Sequence, residues 1–399
     1  MLGVIVQHSV EIVTFISWLS PALYQPQIRH LIRLVDALLV CDSQKTLTNL
    51  YRQLAAKYDP KTAADFFRES PWQVVDVSGP RKRWMLLKFL KLAHMLHLDP
   101  VILIGVDDSL GKKHKDTRHL EAVSFHHNHT DSTRRKQVFS NGYVYVEIHI
   151  QIGPIGFLFD TRLYLREKTV RQLNRQRSKD NRLRFRTKYA LAREMLVELS
   201  QLLPKGYRVY VLFDSWYASA KLIKLCRRQR WHVICAVKSN RRLNRTRMDH
   251  HNQSLRNKRY QRVTLQALDP SRPSQTYCVR TVQGHLEEVA DEVCGIISKR
   301  HPGDKHPKYF VCVSTARMWP GLLHEGPAVV PGVAPASRIG RTGAGLTCGA
   351  CAHRPTQQCP DDGHERADAA GDLPGPGFPV AGRPRCRCLL YTSPSPRDS

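Results

Sequence analysis

Val101-Ile-Leu-Ile-Gly-Val-Asp-Asp-Ser109 is the stretch from which the rest of the chain is read. An apolar run of this length predicts a strand buried on both faces. A buried, unpaired carboxylate is very costly, so the strand is expected to end at Asp107 or Asp108 and present a carboxylate at its mouth. Tyr207-Arg-Val-Tyr-Val-Leu-Phe-Asp214-Ser-Trp-Tyr217 repeats the form, a β-rich run closing on Asp and Ser. Side by side, the two strands would bring Asp108 and Asp214 to one edge of one sheet. Paired carboxylates of that kind hold divalent ions for phosphoryl transfer. An Asp after a strand also serves as a helix cap or turn residue, and for either Asp alone that is the plainer reading.

Charge points to the partner. The 399 residues carry 62 Lys and Arg against 34 Asp and Glu, a formal charge of +28. That imbalance implies a polyanion, with nucleic acid first and an anionic membrane as the rival. No apolar run reaches the roughly 18–20 residues of a membrane span. Met1–Ser20 is apolar but lacks a basic start and is broken by His8 and Glu11, so it predicts an amphipathic helix rather than a signal peptide. Of the 11 Cys, six are scattered between Cys41 and Cys312. They read as reduced core thiols of a cytoplasmic protein.

In chain order, residues 27–98 read as helical. Ile28, Leu31, Ile32, Val35, Leu38 and Leu39 recur at helical spacing, Ser43 stands before a helix over 47–54, and Asp59-Pro60 opens another over 63–67. The basic side chains on these helices suit either a helix-turn-helix-like DNA reader or a plain helical domain with a solvated face. Arg81-Lys-Arg83 precedes a further helix, 85–98. After the first strand, Gly111–Arg118 is a dense basic loop, and His126-His-Asn-His129 reads as a loop that packs or touches DNA, without zinc-site spacing. Two alternating segments, 143–150 and 155–165, flank the turn Gly153-Pro154. Arg166–Lys188 holds ten Arg or Lys and reads as an exposed arm. A helix over 189–203, the Asp214 strand, a helix over 219–228 and a strand over 231–237 complete the order βββαβαβ. That is the ribonuclease H-like arrangement: a mixed five-stranded α/β (α+β) sheet with flanking helices, preceded by a helical domain. Its first and fourth strands are neighbours. A basic β insertion at about 241–300 and a last strand, 309–313, follow.

Beyond Ala316 the composition changes. Gly and Pro supply 24 of the last 83 residues and apolar periodicity vanishes. Residues 317–399 read as a disordered tail or an out-of-frame translation.

The blocks Gly105-Val-Asp-Asp-Ser-Leu-Gly-Lys-Lys113, Gly142-Tyr-Val-Tyr-Val146, Leu212-Phe-Asp-Ser-Trp-Tyr-Ala-Ser-Ala-Lys221 and Ala236-Val-Lys-Ser-Asn240 resemble bacterial insertion-sequence transposases of the DDE type. Lys45-Thr-Leu47 and Ala64-Asp-Phe-Phe-Arg-Glu-Ser-Pro-Trp72 are similar to the helical domain ahead of that core. The resemblance spans about residues 27–315. It implies cleavage of transposon ends and strand transfer into target DNA, with Mg²⁺ or Mn²⁺ as cofactor. Asp108 and Asp214 would be catalytic metal ligands, with Asp107 as understudy to Asp108. Lys112, Lys113, Lys115, Lys238, Arg241 and Arg242 would hold phosphates of double-stranded DNA, in a complex that a homodimer could form. The family's third acid, a Glu on a helix after the last strand, has no match. Glu325 and the other tail acids lack a helical setting. Glu287, Glu288 and Glu292 read as helical but precede the last strand. The third carboxylate is therefore expected to be lost and this copy impaired. A metal-dependent nuclease on the same fold and a non-catalytic DNA-binding relative are the alternatives.

Residues up to Ala316 alone carry 53 Lys and Arg against 27 Asp and Glu. Duplex DNA binding should therefore weaken by roughly 10³-fold between 50 and 200 mM salt, as measured by fluorescence anisotropy. Binding that ignores salt would count against the nucleic-acid reading.

Overall fold

The computed structural model describes residues 5, 7–19, 23–43, 45–55, 60–70, 73–117, 120–128, 131–133, 135–265 and 273–314. The expectations for Asp59, His129, Glu325 and the segment 317–399 lie outside them.

Five helices come first: α1 (Val10–Leu19), α2 (Gln25–Val40), α3 (Leu47–Tyr51), α4 (Pro60–Glu69) and α5 (Val74–Met95). Thr46, not Ser43, caps α3, its side chain accepting from the Asn49 N–H. The basic triplet Arg81–Arg83 does not precede the last of these helices but lies inside it, because α5 begins at Val74. No helix among the described residues is long and apolar enough to cross a membrane.

The strands β1 (Val101–Lys112), β2 (Ser124–His127), β3 (Phe139–Ile152) and β4 (Ile155–Tyr164) follow. Gly153, at a positive φ of 53°, makes the tight turn between β3 and β4. Next come α6 (Glu167–Asn174), α7 (Lys188–Leu202), β5 (Arg208–Phe213), α8 (Ala220–Arg228) and β6 (His232–Val237). A short hairpin, β7 (Arg242–Leu243) and β8 (Thr246–Arg247), leads into α9 (Met248–Ser254). The strands β9 (Gln261–Leu265), β10 (Gln275–His285), β11 (Glu292–Lys299) and β12 (Lys308–Val313) close the described chain.

The sheet order is β2-β3-β1-β5-β6-β12-β11-β10-β9, with β4 also on β3. β1 runs antiparallel to β3 and parallel to β5, and β5 is parallel to β6. The five expected strands therefore lie in the expected mixed order, with the first and fourth adjacent. Among the described residues, however, the sheet is not five-stranded but ten-stranded. β12 adds antiparallel to β6, and β11, β10 and β9 continue as a meander. The expected insertion is thus part of the main sheet. The apolar alternation of β10 and β11 extends it, burying Val279, Val293 and Ile297.

Three further expectations are corrected. Glu287 and Glu288 occupy the turn between β10 and β11, and Glu292 opens β11; no helix forms, because Leu286 and Val289 turn inward to the core. His126 and His127 are strand, not loop, paired across to Ser140 and Phe139. The basic stretch 166–188 is no free arm. It contains α6, whose Val170 joins Leu163, Leu165, Leu183 and Ala122 in a small core of its own.

The main core lies on one face of the sheet. Ile102, Ile104, Val106, Val146 and Ile148 meet Leu191, Met195 and Leu196 of α7, Leu222 and Ile223 of α8, and Leu86 and Phe89 of α5. A charged network pins α5 and α7 to β4. Lys82, 4% exposed, reaches Asp160 at 3.1 Å and Glu198 at 2.7 Å. Arg162 binds Asp160, Glu194 and Glu198 from the same side. Breaking such a buried set by removing one partner leaves uncompensated charge. Lys82→Ala should cost about 3 kcal/mol in a denaturant titration, and more than Lys82→Met combined with Asp160→Asn. A loss below about 1 kcal/mol would show that the network adds nothing net.

Candidate active site

β1 does not end at its carboxylates. It continues to Lys112, because β3 pairs with it all the way, Lys112 opposite Gly142. β5 pairs only as far as Val106–Phe213. Beyond that point β1 has a partner on one side and none from β5, which leaves a notch in the sheet edge. Asp107, Asp108 and Asp214 all lie at this notch.

Strand alternation sends the two neighbouring acids to opposite faces. Asp108 follows Val106 onto the core face and meets the first residue of α7, Lys188, whose Nζ lies 2.7 Å from Asp108 Oδ2. The hydroxyl of Tyr217, a fully buried side chain, donates to Asp108 Oδ1 at 3.2 Å. Asp214 Oδ1 accepts from the backbone N–H of Trp216 at 2.9 Å and of Tyr217 at 3.2 Å. This is a turn-capping geometry, so the plain role for Asp214 is also realised. Tyr189 holds that turn by donating to the Trp216 carbonyl at 2.6 Å. Asp107 looks the other way and stands across from Glu147, which accepts from Ser109 Oγ at 2.6 Å.

The carboxylates feel one another. Burial, opposed by the two backbone N–H groups, raises the Asp214 pKa, and the charge of Asp108 adds to the rise. Burial likewise pushes Asp107 up to about 7, with the charges of Asp108, Asp214 and Glu147 contributing. Burial and Asp108 lift Tyr217 far above the usual phenol range, so it stays a neutral donor. His126 also faces this site. Burial, with Arg166 and Lys188 nearby, lowers it to about 4, so the ring is neutral at physiological pH.

The basic residues divide between the two ends of the notch. Lys238 follows β6 at the same edge as Asp214, its Nζ 5.7 Å from the Trp216 ring centroid, and Arg241 closes the turn by donating its N–H to the Lys238 carbonyl. Arg242 lies further out and approaches Glu287 at 3.9 Å. Lys112 stands about 13 Å further along β1 than Asp108, and Lys113 follows the end of the strand. Lys112 is paired with Asp131 at 2.6 Å, Lys113 lies over the Tyr143 ring, and Lys115 is exposed. Lys188, Tyr217 and Glu147 were not singled out from sequence, and His126 was read only as part of a histidine-rich loop. Lys188 was hidden as one of ten cations in its stretch, whereas Tyr217 stood in plain view three residues after Asp214.

A sequence model for DDE superfamily endonucleases matches residues 19–290. The chain belongs to this family. No curated protein matches the sequence. Among solved structures, the chain is similar to a piggyBac transposase determined by cryo-EM in a synaptic complex with hairpin DNA. The identity is 13% and the TM-score 0.35, over 77% of this chain and 59% of that one. The chain thus spans less than two thirds of the transposase it matches. In this DDE-family chain, no group of three or more His, Cys, Asp or Glu among the described residues is placed to hold a metal ion together.

Asp107 gives a direct test of the electrostatics. Its folded pKa, about 7, lies above the ordinary 3.8. The folded state therefore retains a proton that the unfolded state releases, and stability falls as pH rises from about 4 to about 7. Asp107→Asn should remove that penalty. It should stabilise the chain by about 2 kcal/mol at pH 8, allowing for partial solvent screening, and by less at pH 5, as read from thermal melts at the two pH values. Equal effects at both would contradict the raised pKa.

Proposed function

We propose that this chain is a DNA transposase core, built to cut phosphodiesters at transposon ends and to join the freed 3′ ends to target DNA. Residues 99–316 form the catalytic core, and residues 1–98 a helical domain ahead of it that contacts DNA. Asp108 and Asp214 are the acids that carry the chemistry. The observation behind this choice is the double role of Tyr217: its backbone N–H holds Asp214 and its hydroxyl holds Asp108. One buried residue therefore holds both acids at the notch, while Asp107 lies on the opposite face of β1 from Asp108.

Divalent ions are general to this family. The acids suit one: they are hard oxygen donors, partly desolvated, and the Asp214 pKa is raised in a way that a cation would relieve. Mg²⁺ or Mn²⁺ held there would activate water and stabilise the leaving 3′ oxygen. Lys188 neutralises Asp108 and lies close enough to Asp214 to lower its pKa. Were a cation to engage Asp108, the Lys188 ammonium would be free to meet a substrate phosphate at the same edge. Lys238 and Arg241 flank Asp214 and take the phosphates on that side. Lys112, Lys113, Lys115 and Arg242 take those further out, contributing affinity and salt dependence rather than sequence reading. Double-stranded DNA is the partner, and a homodimer the assembly that would pair two ends.

No third acid joins the pair among the described residues. That favours a second reading for this copy: it binds DNA and one ion but cleaves weakly. Mn²⁺ binding, followed by paramagnetic relaxation of solvent water, and Mg²⁺-dependent nicking of duplex DNA separate the cases. Asp108→Asn and Asp214→Asn should each weaken Mn²⁺ binding by tenfold or more and abolish any nicking, whereas Asp107→Asn should retain most of both. If Asp107→Asn alone removes the ion, the assignment of faces is wrong.

A further inference from the structure

A second basic site lies far from the acids but on the same sheet edge. Between α9, the middle of β10 and the end of β11 is a cleft of about 690 Å³, lined by Arg256, Lys258, Arg259, Tyr260, Arg280 and Lys299 among others. The Arg280 guanidinium is stacked on the Tyr260 ring at 3.6 Å, and the Lys299 ammonium lies 5.7 Å from the same ring. Arg280 is fixed by donating to the backbone carbonyls of Arg256 and Lys258. Its Nε is buried and has no hydrogen-bond partner among the described residues, and neither has Asn252 Oδ1 beside it. Among the described residues no carboxylate lines the cleft. Asp304, which feels the charge of Lys299, is occupied by the N–H groups of Arg300 and His301. Among the described residues none of these cations has a carboxylate partner.

Strand register fixes where this cleft stands relative to the acids. Val106 pairs with Phe213, and Phe213 with Cys235. Asp108 and Val237 each lie two residues beyond that row. Val237 pairs with Tyr309, Tyr309 with Ile297, and Ile297 with Arg280. Arg280 thus lies in the same cross-sheet row as Asp108, and its partners Ile297, Tyr309 and Val237 share the core face with Val106. Five strand spacings separate β1 from β10, about 24 Å. Along B-DNA that is about 7 base pairs.

We infer that the Arg280–Tyr260 cleft is a second phosphate-binding site for the backbone of the same duplex, about 7 base pairs from the phosphodiester at the notch. The inference rests on the reading of the notch as a DNA-processing site. The preset, stacked guanidinium takes a phosphate oxygen at little entropic cost, and Arg256, Lys258 and Arg259 supply exposed charge around it. A duplex long enough to reach both sites is held by two linked contacts, a shorter one by one.

The test compares the full chain with an Arg256→Glu/Arg259→Glu variant, both exposed positions, on duplexes of 6 and 20 base pairs. Wild type should bind the long duplex at least tenfold more tightly than the short one. The variant should lose most of that advantage, with the slope of log affinity against log salt falling by about 2 on the long duplex and little on the short one. Arg280→Lys, which keeps the charge but not the planar stack, should give an intermediate loss. Equal losses on both lengths, or no loss on either, overturn the inference while leaving the notch reading intact. A wild-type chain that binds neither duplex at low salt removes both.

Discussion

The candidate site depends on unequal pairing of β1. Its backbone groups are satisfied by β3 along the whole strand, but β5 stops at the level of Val106. Both halves of that inequality are needed. Without the β3 pairing, the strand would fray where the carboxylates begin, and Asp107 and Asp108 would have no fixed direction. With a longer β5, the notch would close and the acids would be shut inside a sheet, where their desolvation would be prohibitive. The chain escapes β5 through the turn after Phe213, which Asp214 caps. The residue that ends the pairing is thus also one of the two acids.

The rest of the molecule holds that edge still. Two charged sets meet on α7. At its first residue, Lys188 reaches Asp108; further along, Glu194 and Glu198 meet Arg162 and Lys82. The helix between them is packed through Leu191, Met195, Leu196 and Leu199, all essentially buried. A displacement of α5 or β4 would therefore be transmitted along a stiff element to the ammonium on Asp108. This ties the helical N-terminal part to the acids by packing as well as by sequence order.

Much of this was legible in the chain. The apolar runs ending at Asp108 and Asp214, and the helices between strands, gave the mixed sheet and its central neighbours, because period and length report burial directly. Three things were not legible. The end of β1 depends on a partner 30 to 40 residues away, which no local pattern encodes. The strands β9 to β11 read as an insertion because their sequence is strongly basic, as at Arg262 and Arg280, and only pairing joins them to the sheet. Lys188 and His126 carry no local signal, since a cation among cations and a histidine among histidines acquire meaning only from the carboxylate they face.

The ammonium on Asp108 also bears on the order in which such a molecule is assembled. Clustered carboxylates repel, and a site of bare acids makes folding contingent on an ion arriving first. Here Lys188 supplies the opposite charge from within the chain, at a helix start already fixed by the Thr187 cap. On the proposed reading, folding would not have to wait for the ion, whose apparent affinity would be set by competition with a resident cation rather than by an empty ring of charge. A chain arranged this way would reach its folded form first and, if it takes an ion at Asp108, take it last.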